Sequence, residues 1–172
     1  MDTVMLSGAW ELDDRRTIRA TVGLVLDGSL TTGTGAVHDM EPGGLVAVGL
    51  DYRVKQGDGA SPHIDMSLTV GATWAKTTAP GTDSLTNYFA TDARLGARAG
   101  WFAPGNTFPY VAARVFGGPV KWELAGDDVT GTDVNHYQLA LGAAGRIGPV
   151  GVFAEWAGVG EQAISVGMSM AW

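Results

Sequence analysis

The sequence predicts an all-β fold, an antiparallel up-and-down transmembrane β-barrel, and three observations carry that expectation. Nine segments, at 3–12, 16–27, 44–55, 63–76, 87–102, 108–124, 134–146, 149–157 and 162–172, place apolar residues at every second position. That is the period of a strand, and the glycines that interrupt nearly every segment would weaken a helix. The apolar parity of these segments carries no charge, whereas the opposite parity collects charged and very small residues. The connections also alternate in length, compact turns at one end and longer Gly-, Thr- and Asp-rich loops at the other, the signature of a membrane-spanning meander.

Composition sets the frame. A chain of 172 residues without a composition shift makes one domain, 1–172, in which 1–15 stands apart as a surplus or truncated first hairpin. A net charge of −7 excludes the basic footprint that nucleic acid requires. With no cysteine there is neither a disulfide framework nor a thiolate metal site. No run of about 18 apolar residues offers a transmembrane helix, and Met1-Asp2-Thr3 does not read as the start of a signal peptide. Export is therefore expected to involve a leader outside this sequence.

Taken in order, the apolar parity reads Val4, Leu6, Trp10, Leu12 in the first segment and Ile18, Ala20, Val22, Leu24, Leu26 in the second. It continues through Val46, Val48, Leu50, Tyr52, Val54 and then Ile64, Met66, Leu68, Val70, Ala72, Trp74. Phe89, Ala93, Leu95, Ala97, Trp101 follow, then Val111, Ala113, Val115 and Leu139, Leu141, Ala143. Val150, Val152, Ala154, Trp156 and Ile164, Val166, Met168, Met170, Trp172 finish the series. The turns are 13–15, 56–62, 103–107 and 147–148; the longer loops are 28–43, 77–86 and 125–133, and 158–161 is short.

The other parity holds a candidate lumen charge cluster: Arg19, Asp51, Arg53, Asp65, Asp92, Arg94, Arg98, Arg114 and Glu155. Small residues mixed with opposite charges suit a narrow interior in which side chains cross and pair. A soluble lipocalin-like ligand-binding barrel is the alternative, but its wet face would carry long polar side chains rather than Gly, Ala and Ser. A lipid-facing charge near the midplane costs about 2–4 kcal/mol, which accounts for an uncharged face over nine segments.

Outward aromatics fall in two bands. Trp10, Tyr52, Trp101 and Trp172 lie toward the short-turn end, and Trp74, Phe89, Trp122, Tyr137 and Trp156 toward the long-loop end. Amphipathic rings favour the two membrane–water interfaces.

The closing strand Ile164–Trp172 ends on an aromatic residue, and 94–101 (RLGARAGW) and 110–119 (YVAARVFGGP) share its alternating character. With these features the chain resembles the small outer-membrane β-barrels of Gram-negative bacteria, the outer membrane protein A, W and X types. The resemblance implies a monomer in the bacterial outer membrane whose partners are the lipid bilayer and the barrel-assembly machinery, the latter reading the C-terminal strand. Phe is the commoner last residue of that signal; here it is Trp172. The implied role is structural, or a narrow passage for small solutes.

Bacterial single-chain barrels have an even strand number. Counting back from Trp172 makes 16–27 the first of eight and leaves 3–12 as a ninth, so eight or ten strands are expected in the closed native barrel. Either 3–12 belongs to a ten-strand barrel with a further strand upstream, or it pairs irregularly. Gly117-Gly118-Pro119 is expected to form a β-bulge that moves the outward parity to Val120, Trp122 and Leu124.

Catalytic signals are sparse, and neither cofactor nor metal is expected. His38 and His63 lie in or beside loops and read as solvated; His136 falls on the lumen parity next to Gln138. A lipid hydrolase or acyltransferase at the outer-leaflet rim would need His with a nucleophile, and no G-x-S-x-G is present. Asp127, Asp128 and Asp133 lack EF-hand spacing and read as a solvated acidic loop.

Overall fold

Alternation becomes pairing in the computed structural model, which describes residues 1–31, 35–58, 60–78, 85–124, 127–132 and 134–170. Twelve strands are present among them: β1 (Asp2–Glu11), β2 (Arg16–Thr31), β3 (Val37–Met40), β4 (Gly43–Lys55), β5 (His63–Thr78) and β6 (Leu85–Gly100). β7 (Thr107–Gly117), β8 (Pro119–Leu124), β9 (Asp127–Thr132), β10 (Tyr137–Ile147), β11 (Val150–Gly160) and β12 (Ala163–Met170) complete the set. All pairings are antiparallel and follow the chain in the order β1-β2-β3-β5-β6-β7-β10-β11-β12, with β4 also between β2 and β5, and β8 between β6 and β9.

Twelve strands replace nine segments for three local reasons. The third segment is longer than expected and is interrupted at Glu41-Pro42, where proline has no N–H to give. Register on β2 passes through the break unchanged, Met40 facing Gly28 and Gly43 facing Val25. Against β5 it slips by one residue, because Met40 faces Thr77 but Gly44 faces Trp74. The pairings β2–β3, β3–β5, β5–β4 and β4–β2 thus close a small four-strand barrel. The sixth segment breaks at Gly118, whose Cα lies so close to the Thr91 carbonyl that a Cβ there would collide with it. Finally, 127–132 folds back on β8 as a hairpin instead of forming an open loop.

The expected bulge at Gly117–Pro119 does not shift the register. Gly117 faces Ala93 before the break and Val120 faces Ala90 after it, on one uninterrupted alternation. Trp122 therefore falls on the inner parity beside Tyr88, not on the outer one. A true bulge lies elsewhere, at the β10–β11 pairing, where Leu139 faces Val159 but Ala140 faces Ala157.

The pairs also record a steep stagger. One continuous line of facing residues runs Trp10, Ile18, Leu50, Leu68, Leu95, Val115, Tyr137. It leaves β1 at its short-turn end and reaches β10 at its long-loop end. Every member is apolar or aromatic, and all but Ile18 are exposed.

Burial runs opposite to that of a soluble sheet protein. The buried residues Tyr110, Ala112, Ala140 and Ala157 form one cluster, and Val25, Met40 and Ala75 another. The large apolar side chains are outside, Leu6 at 75% and Met168 at 81% exposure. Among the described residues β1 pairs only with β2, and β12 only with β11, so the pairings do not close a ring of eight or ten strands.

Candidate functional site

Strand alternation delivers the inner parity to one face of the sheet, and most of the expected cluster meets there in small groups. Arg114 on β7 stands directly opposite Gln138 on β10. Its Nη1 donates to Gln138 Oε1 and to Glu155 Oε1, both at 2.7 Å, and its Nη2 donates to Glu155 Oε2 at 2.7 Å. Glu155 sits on β11, one strand further, and is reached diagonally. Gln138, 4% exposed, passes the network on by donating Nε2 to the Glu161 carbonyl at 3.2 Å. A bidentate, charge-assisted pair with each remaining lone pair occupied is the geometry in which a half-buried ion pair persists.

Asp65 on β5 centres the second group. Arg98 faces it across β5–β6 and donates Nη2 at 2.7 Å, and His63 Nε2 lies 2.9 Å from its other oxygen. The Arg98 guanidinium lies over the rings of Phe108 and Tyr110, at 5.7 and 5.4 Å from their centroids. Arg19 and Asp51 form a third pair, between β2 and β4. Arg94 is held more loosely, 3.8 Å from Asp92 and 3.6 Å from Glu161, with its guanidinium 4.5 Å above Phe116. Arg53 belongs to no ion pair described here; its Nη1 donates to the Asp14 carbonyl in the first turn at 2.8 Å.

Several participants were legible only as parity. His63 and Tyr110 lie on the inner alternation of β5 and β7, which is the signal that placed Asp65 and Arg114. Glu161, in the short β11–β12 connection, carries no periodicity and is found only by where Arg94 reaches. His63 and His38, expected in solvent, are not there. His63 packs edge-on against Phe102 and Phe108, because it opens β5 on the inner parity, facing Gly100 of β6. His38 is buried on β3, its ring edge-on to Trp122 at 4.5 Å. Trp122 Nε1 in turn donates to Thr77 Oγ1 at 2.7 Å, and Thr77 exchanges a 2.8 Å hydrogen bond with Thr86. This second polar cluster sits at the long-loop end of the interior.

Of the expected interface aromatics, Trp10, Tyr52, Trp74, Phe89, Trp101, Tyr137 and Trp156 are exposed on the outer face. Trp122 is the correction: the unbroken register turns it inward. Trp172 lies outside the described residues, as does Asp133. Trp74 faces Phe89 directly, the outer positions just beyond them are Lys76 and Asn87, and Lys121 on β8 faces Phe89 from the other side. At the other end Tyr52 faces Arg16, itself hydrogen-bonded to Asp13 in the turn. From Met66, opposite Tyr52, to Trp74 the strand climbs eight residues, about 27 Å at the usual rise.

His136 Nδ1 lies 3.2 Å from the Phe116 carbonyl, and Ser165 and Ser169 are exposed on β12. Among the described residues no three His, Asp or Glu side chains group as a metal site. Comparison of the chain with family models, with curated proteins and with solved structures finds no match.

Proposed function

We propose that this chain is an integral outer-membrane β-barrel protein of Gram-negative type, with a narrow lumen closed by ion pairs and a structural role. The supporting observation is the inverted distribution of polarity: an exposed, uncharged belt bounded by Tyr52 and Arg16 below and by Trp74, Phe89, Lys76 and Lys121 above. About 27 Å along a strand tilted by 35–45° rises about 19–22 Å, most of the height of an apolar band about 25 Å tall. The staggered line from Trp10 to Tyr137 is the tilt that strands need in order to curl into a barrel. A soluble lipocalin-like barrel would require water on the face that carries Leu6, Val48 and Met168, all exposed here.

The interior supports closure rather than flow. Arg114, Arg98 and Arg19 each already hold a carboxylate, so these charges neutralise one another in pairs instead of standing free to lead a solute through. On this reading β12 is the segment offered to the barrel-assembly machinery, and the bilayer is the main partner.

The test is twofold. The refolded chain is expected to float with phosphatidylcholine vesicles and to change gel mobility on boiling. In a planar bilayer it is expected to be nearly silent. A chain that stays folded and monomeric in water without detergent removes the membrane assignment. Stepwise conductance of the unaltered protein replaces the closed lumen with a narrow passage.

A further inference from the structure

The two edges of the sheet define a vacancy with a fixed polarity. β1 leaves the long-loop end, where Asp2 faces Asp27, and ends at the first turn, where Glu11 faces Thr17. β12 also leaves the long-loop end, where Ala163 faces Ala157, and ends beside the 148–149 turn, where Met170 faces Val150. The two free edges therefore run parallel to one another. Each is also bare on both faces. In β7 and β10 the inner residues Tyr110, Ala112, Gln138 and Ala140 are buried, whereas Met5, Ser7 and Ala9 of β1 and Ser165 and Ser169 of β12 are exposed. Their outer residues, Leu6, Ile164, Val166 and Met168, are exposed at 75% or more.

We infer that β1 and β12 together form a strand-acceptor site for one extended segment, antiparallel to both, which completes a ten-strand ring. The inference rests on the membrane reading above. In lipid an open edge leaves N–H and C=O groups without partners, several kcal/mol apiece. One inserted strand satisfies both edges with the antiparallel bonds used everywhere else in the sheet and makes the strand number even. Its chemistry follows from its neighbours: about 9–11 residues, apolar on alternate positions to continue the belt of Leu6 and Val166, and free to be bulkier inside, where β12 offers only Ala163, Ser165, Gly167 and Ser169. A second copy fits poorly. Antiparallel β1–β1 pairing would put its long loops on the opposite membrane face, and a co-oriented copy offers only parallel pairing.

The chain has no cysteine of its own, so introduced thiols report the geometry. The probe is a synthetic peptide copying 16–27, the segment that already pairs antiparallel with β1, with Val22→Cys, the position that faces Leu6 in that pairing. Single variants Val4→Cys or Leu6→Cys in β1, Val166→Cys or Met168→Cys in β12, and Val70→Cys in mid-sheet β5 are refolded into phosphatidylcholine vesicles and floated. Expected is oxidative capture of the peptide by at least one β1 and one β12 variant, about tenfold over Val70→Cys, as edge addition requires. Double variants joining β1 to β12 are expected to form no direct disulfide, since two strand spacings are about 9.5 Å, beyond the about 7 Å limit. A direct β1–β12 disulfide means parallel closure of nine strands and overturns the site; a disulfide-linked dimer assigns the edges to a second copy and also overturns it. Equal capture at Val70→Cys, or floating variants that ignore the peptide, overturn it as well. A chain that never enters vesicles removes the membrane reading together with the site, so the two failures are distinguishable.

Discussion

Arg114 on β7 grips Glu155 on β11 through both guanidinium amino groups at 2.7 Å, reaching past the whole width of β10. The contact ties together strands that share no backbone hydrogen bond, and both side chains are largely withdrawn from solvent. Removing one partner of such a pair strands the other. Arg114→Ala or Glu155→Ala is expected to cost about 3–5 kcal/mol, read as a fall in the urea midpoint of the vesicle-inserted protein. The double variant Arg114→Met/Glu155→Leu should recover much of that loss, because no unpaired charge remains. If both single variants unfold like the parent, the pair does not hold the fold.

On the proposed closed-lumen reading, the same pair helps to block passage. Arg98→Ala, which leaves Asp65 with His63 alone, and Arg114→Ala are expected to turn a nearly silent bilayer into one with measurable current. Variants that are folded, heat-modifiable and still silent would place the block elsewhere in the interior.

Trp122 and Trp74 are on opposite sides of the wall, Trp122 hydrogen-bonded to buried Thr77 and Trp74 exposed beside Phe89. In vesicles made with brominated acyl chains, a protein keeping only Trp74 should be quenched strongly and one keeping only Trp122 hardly at all. Trp122→Phe is expected to cost about 0.5–1.5 kcal/mol, the loss of one hydrogen bond to a Thr77 hydroxyl that keeps its bond with Thr86. Equal quenching of the two would restore Trp122 to the outer belt.

Gly118 abuts the Thr91 carbonyl with no room for a Cβ. Gly118→Ala must push β7 and β8 away from β6, so a loss of about 1–3 kcal/mol is expected, against little change for Gly131→Ala, where a Cβ would meet nothing within 4 Å.

The first turn carries a pH dependence. The Arg16 side chain, with the backbone N–H groups of Arg15 and Arg16, holds the Asp13 carboxylate below its ordinary value of 3.8. Stability from a lowered carboxylate is complete above the unfolded value and is lost as pH falls through the folded one. Acid titration should therefore loosen the β1–β2 hairpin only below about 3.8, and Asp13→Ala should abolish that step. Amide exchange at Leu12 and Asp13, whose N–H groups point to the Arg16 carbonyl, measures it.

Much of this molecule was written in its alternation. Each of the nine periodic segments contains a strand, and Arg19, Asp51, Asp65, Arg98, Arg114 and Glu155 share one face because a pleated strand leaves no other choice. Parity names a face but not a neighbour. That Arg114 meets Glu155 depends on the stagger between β7 and β11, a sum of registers that no single segment contains. The inward Trp122 was missed because Gly117-Gly118-Pro119 looks like a bulge, whereas β6 holds both halves to one register.

The sequence alone determined the strands, the uncharged face and the charged one, since these depend only on a period of two and on which side chains fall on each parity. Tertiary structure decided which charges pair, where His38 and His63 are buried, and that the first and last strands run the same way. Those outcomes follow from how many strands stand between two residues and how far each slides past the next. Only the assembled sheet adds up those displacements.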